Sequence, residues 1–361
     1  MTARVERLRA ELRDDTAVVA TPRPRLSWTV VTDETGWRQA AAEVRSGDEE
    51  VRLDGDASVL VDWPFAPLAS GEVRDVSVRV TAESGTTTDW SMPVAVEGGF
   101  LADGAWAAQP VGLAEPTREA QPALLRRAFT VDRPVRRARL FYTALGAAEV
   151  EVNGSPVDDG VLAPGWTSYK DRLVHETVDI TSRIRLGGNV VAAWLAGAWY
   201  TEKYGFQGFA KRVYGDQPAM LAQLEIEYAD GEVVTIITDE SWLATGEGPV
   251  VDSGIYAGEH HDAQRLAASW SDPDFDASAW MPVRVLDTVV PVPEARIAPP
   301  VRRTEELPVR ESWRSPSGAL LLDFGQNLVG RLRIRVSGPA GTAITLKHAE
   351  VLENGELALR P

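Results

Sequence analysis

The stretch "AQLEIEYADG", residues 222–231, decides the fold. Ala222, Leu224, Ile226 and Tyr228 alternate with Gln223, Glu225 and Glu227, and Asp230-Gly231 follows at once. Side chains of an extended strand point alternately to two faces, so this period of two means one buried face and one wet one. Asp-Gly accepts the positive φ of a tight hairpin turn, which returns the chain antiparallel. The same pattern recurs in "VSVRVTA" (76–82), "AEVEVNG" (148–154) and "LRIRVSG" (332–338). Turn signals punctuate it at Asn153-Gly154, Gly187-Gly188-Asn189 and Asn354-Gly355. At the N-terminus Val5, Leu8 and Leu12 fit a helical face, while Leu8, Ala10 and Leu12 fit a strand. The β character downstream favours the strand. The expected class is all-β, in tandem antiparallel sandwich modules or jelly rolls.

Length and composition bound the function. A chain of 361 residues carries two or three domains. With no cysteine, neither disulfides nor thiolate metal sites hold it together. The net charge of −16, from 53 acidic and 37 basic residues, repels phosphate backbones and argues against nucleic-acid binding. No segment reaches the roughly 20 apolar residues that span a bilayer, so no membrane role is expected. The opening "MTARVERLRAELRDD" has no apolar core for a secretory signal, which makes the cytoplasm the expected location.

Two breaks divide the chain. Residues 98–121 replace the alternation with Gly, Pro and Ala, and residues 287–300 hold four prolines, which bars a central strand. The expected modules are therefore 1–97, 122–286 and 301–361, with 98–121 and 287–300 as linkers.

Candidate chemistry concentrates in two stretches. "EVNGSPVDDGVLAPGWTSYKDR" (151–172) is the densest polar-aromatic stretch, with Asp158, Asp159, Trp166, Tyr169 and Asp171. A tryptophan beside carboxylates suits a sugar, whose C–H face stacks on the ring while its hydroxyls bond to the acids. Asp158 and Asp159 with carbonyl oxygens also suit a hard cation such as calcium. The structural alternative is a solvated hairpin and a Pro-Gly turn whose Trp166 caps the core. "LAGAWYTEKYGFQGFAKRVYGDQP" (195–218) is too long for a tight hairpin; Trp199, Tyr200 and Tyr204 offer a stacking platform, or an ordered aromatic loop. Glu259, His260, His261 and Asp262 form a third cluster, but adjacent strand residues face opposite ways and cannot readily share one metal. Nucleophile-elbow, phosphate-loop and dinucleotide motifs are absent. Hydrolysis of a glycoside needs two carboxylates roughly 5–10 Å apart, which sequence spacing does not identify.

Several motifs in fixed order carry a resemblance. "VNGSPVDDGVLAPGWTSYKDRLVHETVDIT" (152–181), "YGDQPAMLAQLEIEYADG" (214–231), "TDESW" (238–242) and "YAGEHHDA" (256–263) resemble the N-terminal β modules of bacterial α-L-rhamnosidases of glycoside hydrolase family 78. "TPRPRLSW" (21–28) and "TTTDWS" (86–91) resemble the family's leading fibronectin type III-like sandwich. "LLDFGQNLVGRLRIRVSGPAGTAITLKHAEVLENGEL" (321–357) looks like its next module.

The resemblance implies a galactose-binding-like jelly roll at 122–286 and the first part of a further sandwich from 301. It also implies that the family's acid and base lie on a downstream helical barrel, so no catalytic residue is carried onto this sequence. In some members the second module binds rhamnose with calcium, which would draw on Asp158, Asp159 and Asn189 here; no cofactor is otherwise required. Asp323, Gln326 and Asn327 then either fix their turn or edge a substrate cleft. The expected role is non-catalytic support of a rhamnosidase, with weak binding of rhamnose-containing glycans. The partner would be a missing barrel or a second chain. A free-standing carbohydrate-binding protein and a self-sufficient glycosidase are the alternatives.

Overall fold

A computed structural model of the protein describes residues 3–13, 17–101, 106–206 and 208–359. The chain forms two compact units, Met1–Val301 and Arg302–Pro361.

The first unit opens with an immunoglobulin-like sandwich. Arg4–Ala10 is a strand, paired antiparallel with Leu26–Val31. Against them lies a five-stranded sheet in the order Ala17–Val19, Val94–Gly98, Val73–Ala82, Gln39–Ser46, Glu49–Asp54. The alternation within 76–82 does what its period demands: Val76, Val78 and Val80 are fully buried. They pack on Leu26, Trp28 and Val44. Trp28 keeps its indole N–H satisfied by donating to Gln39 Oε1 at 3.0 Å, and Gln39 Nε2 donates on to Ala57 O at 3.0 Å.

A larger jelly roll follows in the same unit. One sheet has seven strands, running Arg284–Val285, Val111–Gly112, Ala219–Tyr228, Val135–Leu145, Val174–Asp179, Glu294–Ala295, with Val233–Ile237 also on Ala219–Tyr228. The other has six, in the order Ser155–Pro156, Ala147–Val152, Gly187–Ala196, Ala123–Val131, Leu243–Thr245, Met281–Pro282. Leu224, Ile226 and Tyr228 point inward from one sheet, Val150 and Val152 from the other, and Trp242 joins them in a continuous core. Short parts of both segments expected as linkers pair with strands of this domain. Val111 pairs with Met220, and Glu294–Ala295 lies parallel to Val174–His175 at the edge of the sheet. An edge is where a proline-rich segment can still pair, because one side needs no N–H.

A buried ion pair joins the two sandwiches. Glu97, at the end of its strand, is 1% exposed and accepts from Arg139 Nε at 3.0 Å. Beside it Phe100 packs on Phe141 at 4.3 Å and on His175 at 5.5 Å between ring centroids.

In the second unit, Glu311–Arg314 pairs with Leu320–Asp323, and Leu352–Glu353 with Glu356–Leu357 around Asn354-Gly355. Glu356 ties these hairpins by accepting from Ser317 N at 2.6 Å. The strand expected at 332–338 does not form a ladder with any described residue. Leu332, Ile334 and Val336 stand 42%, 53% and 59% exposed. Alternation specifies which face would be buried; it cannot supply the neighbouring strand that buries it.

Candidate functional site

The strand Gly187–Ala196 delivers residues 197–206 to one end of the jelly roll, where they meet the turn that follows Ala163-Pro164. There Trp166, Trp199 and Tyr204 form a layered aromatic group. The Trp166 ring lies 6.3 Å from Trp199 at an interplanar angle of 4°, and 5.8 Å from Tyr204 at 14°. Trp166 is 53% exposed, so it does not cap the core. Tyr204 Oη donates to Trp199 O at 2.8 Å, which fixes the two rings of the loop together. Burial, with Tyr214, Tyr256 and Glu202 nearby, pushes the Tyr204 phenol up to about 12, so it stays a neutral donor at physiological pH.

Tyr169 and Tyr200 lie beneath this surface and do not belong to it. Both are buried, meeting edge to face at 5.2 Å among Leu145, Leu173 and Ala219. Tyr214 links the layers, edge-on to Tyr169 at 5.0 Å and to Tyr204 at 6.0 Å. The buried tyrosines are the foundation that holds the exposed rings at fixed height.

Tyr256 completes the exposed group, edge-on to Tyr204 at 6.3 Å. The candidate stretches 151–172 and 195–218 do not include it; its presence in "YAGEHHDA" was the available signal. Its backbone is anchored by Glu202, a nearly buried carboxylate that accepts from Lys203 N and Tyr256 N, each at 2.9 Å.

The residues suggested for calcium are occupied otherwise. Asp158 accepts from Tyr142 Oη at 3.0 Å and from Gly160 N at 2.9 Å, a turn-fixing arrangement. Asp159 is exposed beside it. Asn189 is fully buried; its Oδ1 accepts from Arg185 N and Asn153 Nδ2, and its Nδ2 donates to Arg185 O and Gly187 O. A carboxamide saturated in this way has no free oxygen lone pair aimed at a shared cation. Among the described residues no three His, Asp or Glu side chains group in a metal-holding arrangement. His260 and His261 lie exposed on the strand Gly258–His261.

In the second unit, Asp323 Oδ1 accepts from Gly325 N at 2.6 Å and Asp323 O accepts from Arg310 N at 2.8 Å. Asp323 therefore fixes its turn, while Gln326 and Asn327 are exposed on it.

Known proteins align with this architecture in order. The Rha78A-like N-terminal immunoglobulin domain matches residues 5–102, where the sequence suggested a fibronectin-type module. The α-L-rhamnosidase N-terminal domain matches 133–305, and the bacterial α-L-rhamnosidase concanavalin-like domain matches 313–361. An α-L-rhamnosidase of Streptomyces avermitilis is 39% identical over 337 residues, covering 89% of this chain and 32% of that protein. The native α-L-rhamnosidase structure from Aspergillus terreus superposes with a TM-score of 0.87 at 34% identity, over 99% of this chain and 42% of that one. A Streptomyces avermitilis α-L-rhamnosidase complexed with L-rhamnose gives 0.82 at 26% identity, over 99% of this chain and 52% of that one. The chain thus spans about a third of the length of the curated relative. It belongs to the α-L-rhamnosidase family, and what it shares with that family is the N-terminal series of β domains.

Proposed function

We propose that this chain is a non-catalytic portion of an α-L-rhamnosidase-type glycoside hydrolase, and that it holds rhamnose-containing glycans on the Trp166 platform. The observation that carries the reading is the half-exposed Trp166 ring, layered on Trp199 and Tyr204. A rigid, preformed aromatic face suits the C–H side of a pyranose, which a flexible side chain would have to be ordered to receive. A solved relative binds L-rhamnose, which makes that sugar the first to test.

The buried acids support the non-catalytic half of the reading. Glu97 pairs with Arg139, Glu176 with Arg296 and Glu11 with Arg25, while Glu202 accepts backbone N–H groups. A general acid must deliver a proton to bound substrate, whereas these carboxylates are engaged with partners inside the fold. The buried Glu97–Arg139 pair and the Phe100 contacts also suit a scaffold that fixes one sandwich against the next.

Isothermal titration of the chain with L-rhamnose, beside Trp166→Ala, tests the platform. Binding in the millimolar range or tighter, weakened in the variant, supports it; equal binding by both forms overturns it. Turnover of an aryl α-L-rhamnoside by the purified chain, abolished by a single Asp or Glu substitution, overturns the non-catalytic assignment.

A further inference from the structure

The strand Gly187–Ala196 has a second polar feature at its other end. Ten residues separate the two ends, roughly 30 Å at ~3.3 Å per residue. There a cavity of about 390 Å³ opens between Asn153, Arg185, Ser269, Asp272, Asp274 and Phe275. We propose that this cavity is a second carbohydrate site, taking a neutral monosaccharide unit independently of the aromatic platform.

Its walls are built from committed groups. Asn153 donates to Arg183 O and Asn189 Oδ1 and accepts from Val190 N, all at 2.9 Å, so its carboxamide holds the wall rather than the ligand. Opposite, the buried Arg126 donates to Asp272 O at 2.9 Å and to Phe275 O at 3.5 Å, with its guanidinium over the Phe275 ring at 5.4 Å. That clamp fixes the loop 269–275, in which Ser269 takes a left-handed φ of 58°. The Asp272 carboxylate lies where a side chain at residue 154 would go. A Cβ on Gly154 would fall 2.1 Å from Asp272 Oδ1, so the glycine is what admits the carboxylate to this place.

The groups left over face the cavity without each other. Among the described residues, the Arg185 guanidinium makes no ion pair with Asp272 or Asp274, and neither carboxylate has a side-chain partner. Guanidinium only donates and carboxylate only accepts, and a hydroxyl, which does both, can satisfy the two at once. A sugar supplies several, and its C–H face can lie on Phe275. An anion would meet two carboxylates against one guanidinium, and a bare cation would find only two acid ligands.

The test uses the full chain carrying Trp166→Ala, which removes the platform and keeps the two readings separate. L-Rhamnose, D-galactose and D-glucose are titrated by saturation-transfer NMR, with and without calcium, into this background and into the same background with Arg185→Ala or Asp272→Asn. Both second substitutions replace groups without side-chain partners, and thermal melts confirm that each variant folds. The expected result is calcium-independent binding of at least one sugar, weakened about tenfold or more by each second substitution, the size of losing a hydrogen bond to a charged group. No binding of any of the three sugars, binding indifferent to both second substitutions, or binding that requires calcium overturns the proposal. Failure of the platform would show instead as equal binding by the wild type and Trp166→Ala, whatever Arg185→Ala does.

Discussion

The carboxylate of Glu202 accepts a hydrogen bond from Tyr256 N at 2.9 Å, across 54 positions of sequence. One buried acid thereby sets the height of a ring contributed by a distant hairpin relative to Tyr204. Glu202→Ala removes two backbone hydrogen bonds and leaves their donors unmatched, so a stability loss of about 1–3 kcal/mol is expected from urea unfolding. L-Rhamnose binding should weaken in parallel, because the platform loses a fixed edge. Unchanged affinity would mean that Tyr256 does not contribute to the site.

Trp166→Ala should separate binding from folding. The ring is half exposed and caps no core, so its removal should cost about 1–2 kcal/mol, the loss of its contacts with Trp199 and Tyr204. Tyr200→Ala should do the reverse, costing about 3–5 kcal/mol as buried aromatic volume is lost beneath the platform. Denaturant midpoints for the two variants check the contrast; equal costs would contradict the assignment of one ring to the surface and the other to its foundation.

The module junction is expected to respond to pH through His175. The ring is 1% exposed, and burial first, with the charge of Arg13 adding, pulls it down to about 4. Its folded value lies below the unfolded one, so it favours the folded state fully above pH ~6.5 and loses that contribution as pH falls toward 4. The span corresponds to about 3 kcal/mol. Stability measured from pH 7 to pH 4 should fall less steeply for His175→Phe than for the wild type; parallel curves would show that His175 does not titrate on unfolding.

Glu97 and Arg139 offer a second probe of the junction. Removing Glu97 leaves the buried Arg139 guanidinium with Asp179 as its acidic partner, so Glu97→Ala should cost about 1–3 kcal/mol. Replacing both, as Glu97→Leu with Arg139→Met, should cost less than the single change, since the one charge left without its partner, Asp179, is half exposed. A double variant weaker than the sum of the singles would contradict a pairwise role.

Hydrogen exchange should divide the chain sharply. Residues 219–228, paired along both edges, should be among the slowest amides, and residues 331–338 among the fastest. Protection of 331–338 equal to that of 219–228 would show a ladder that the structure does not contain.

Alternation made most of the fold legible. Val76, Val78, Val80, Leu224 and Ile226 are buried as their spacing requires. The same signal at 332–338 over-read a strand, because periodicity records a preferred face and not the presence of a partner. The site was legible in part. Trp166, Trp199 and Tyr204 assemble as a platform, but Tyr169 and Tyr200 differ from them only in burial, which neither residue type nor spacing encodes. Asp158 and Asn189 looked like cation ligands because acids and amides near turns serve both purposes. Here Tyr142, Gly160, Arg185 and Gly187 take up their hydrogen-bonding capacity. Tyr256 reaches the platform through a backbone contact with Glu202 across 54 positions, a pairing that its motif marks at one end only.

The most direct test of the central claim is an NMR titration of protein labelled with ¹⁵N at the tryptophan indoles, using L-rhamnose. The 12 tryptophans are spread through both sandwiches and the second unit, so each indole signal reports its own surroundings. The Trp166 and Trp199 signals should move in a saturable, dose-dependent manner, while Trp28 and Trp242, sealed in their cores, stay in place. Saturation with L-rhamnose that leaves Trp166 and Trp199 unmoved would contradict the platform as a sugar-binding face.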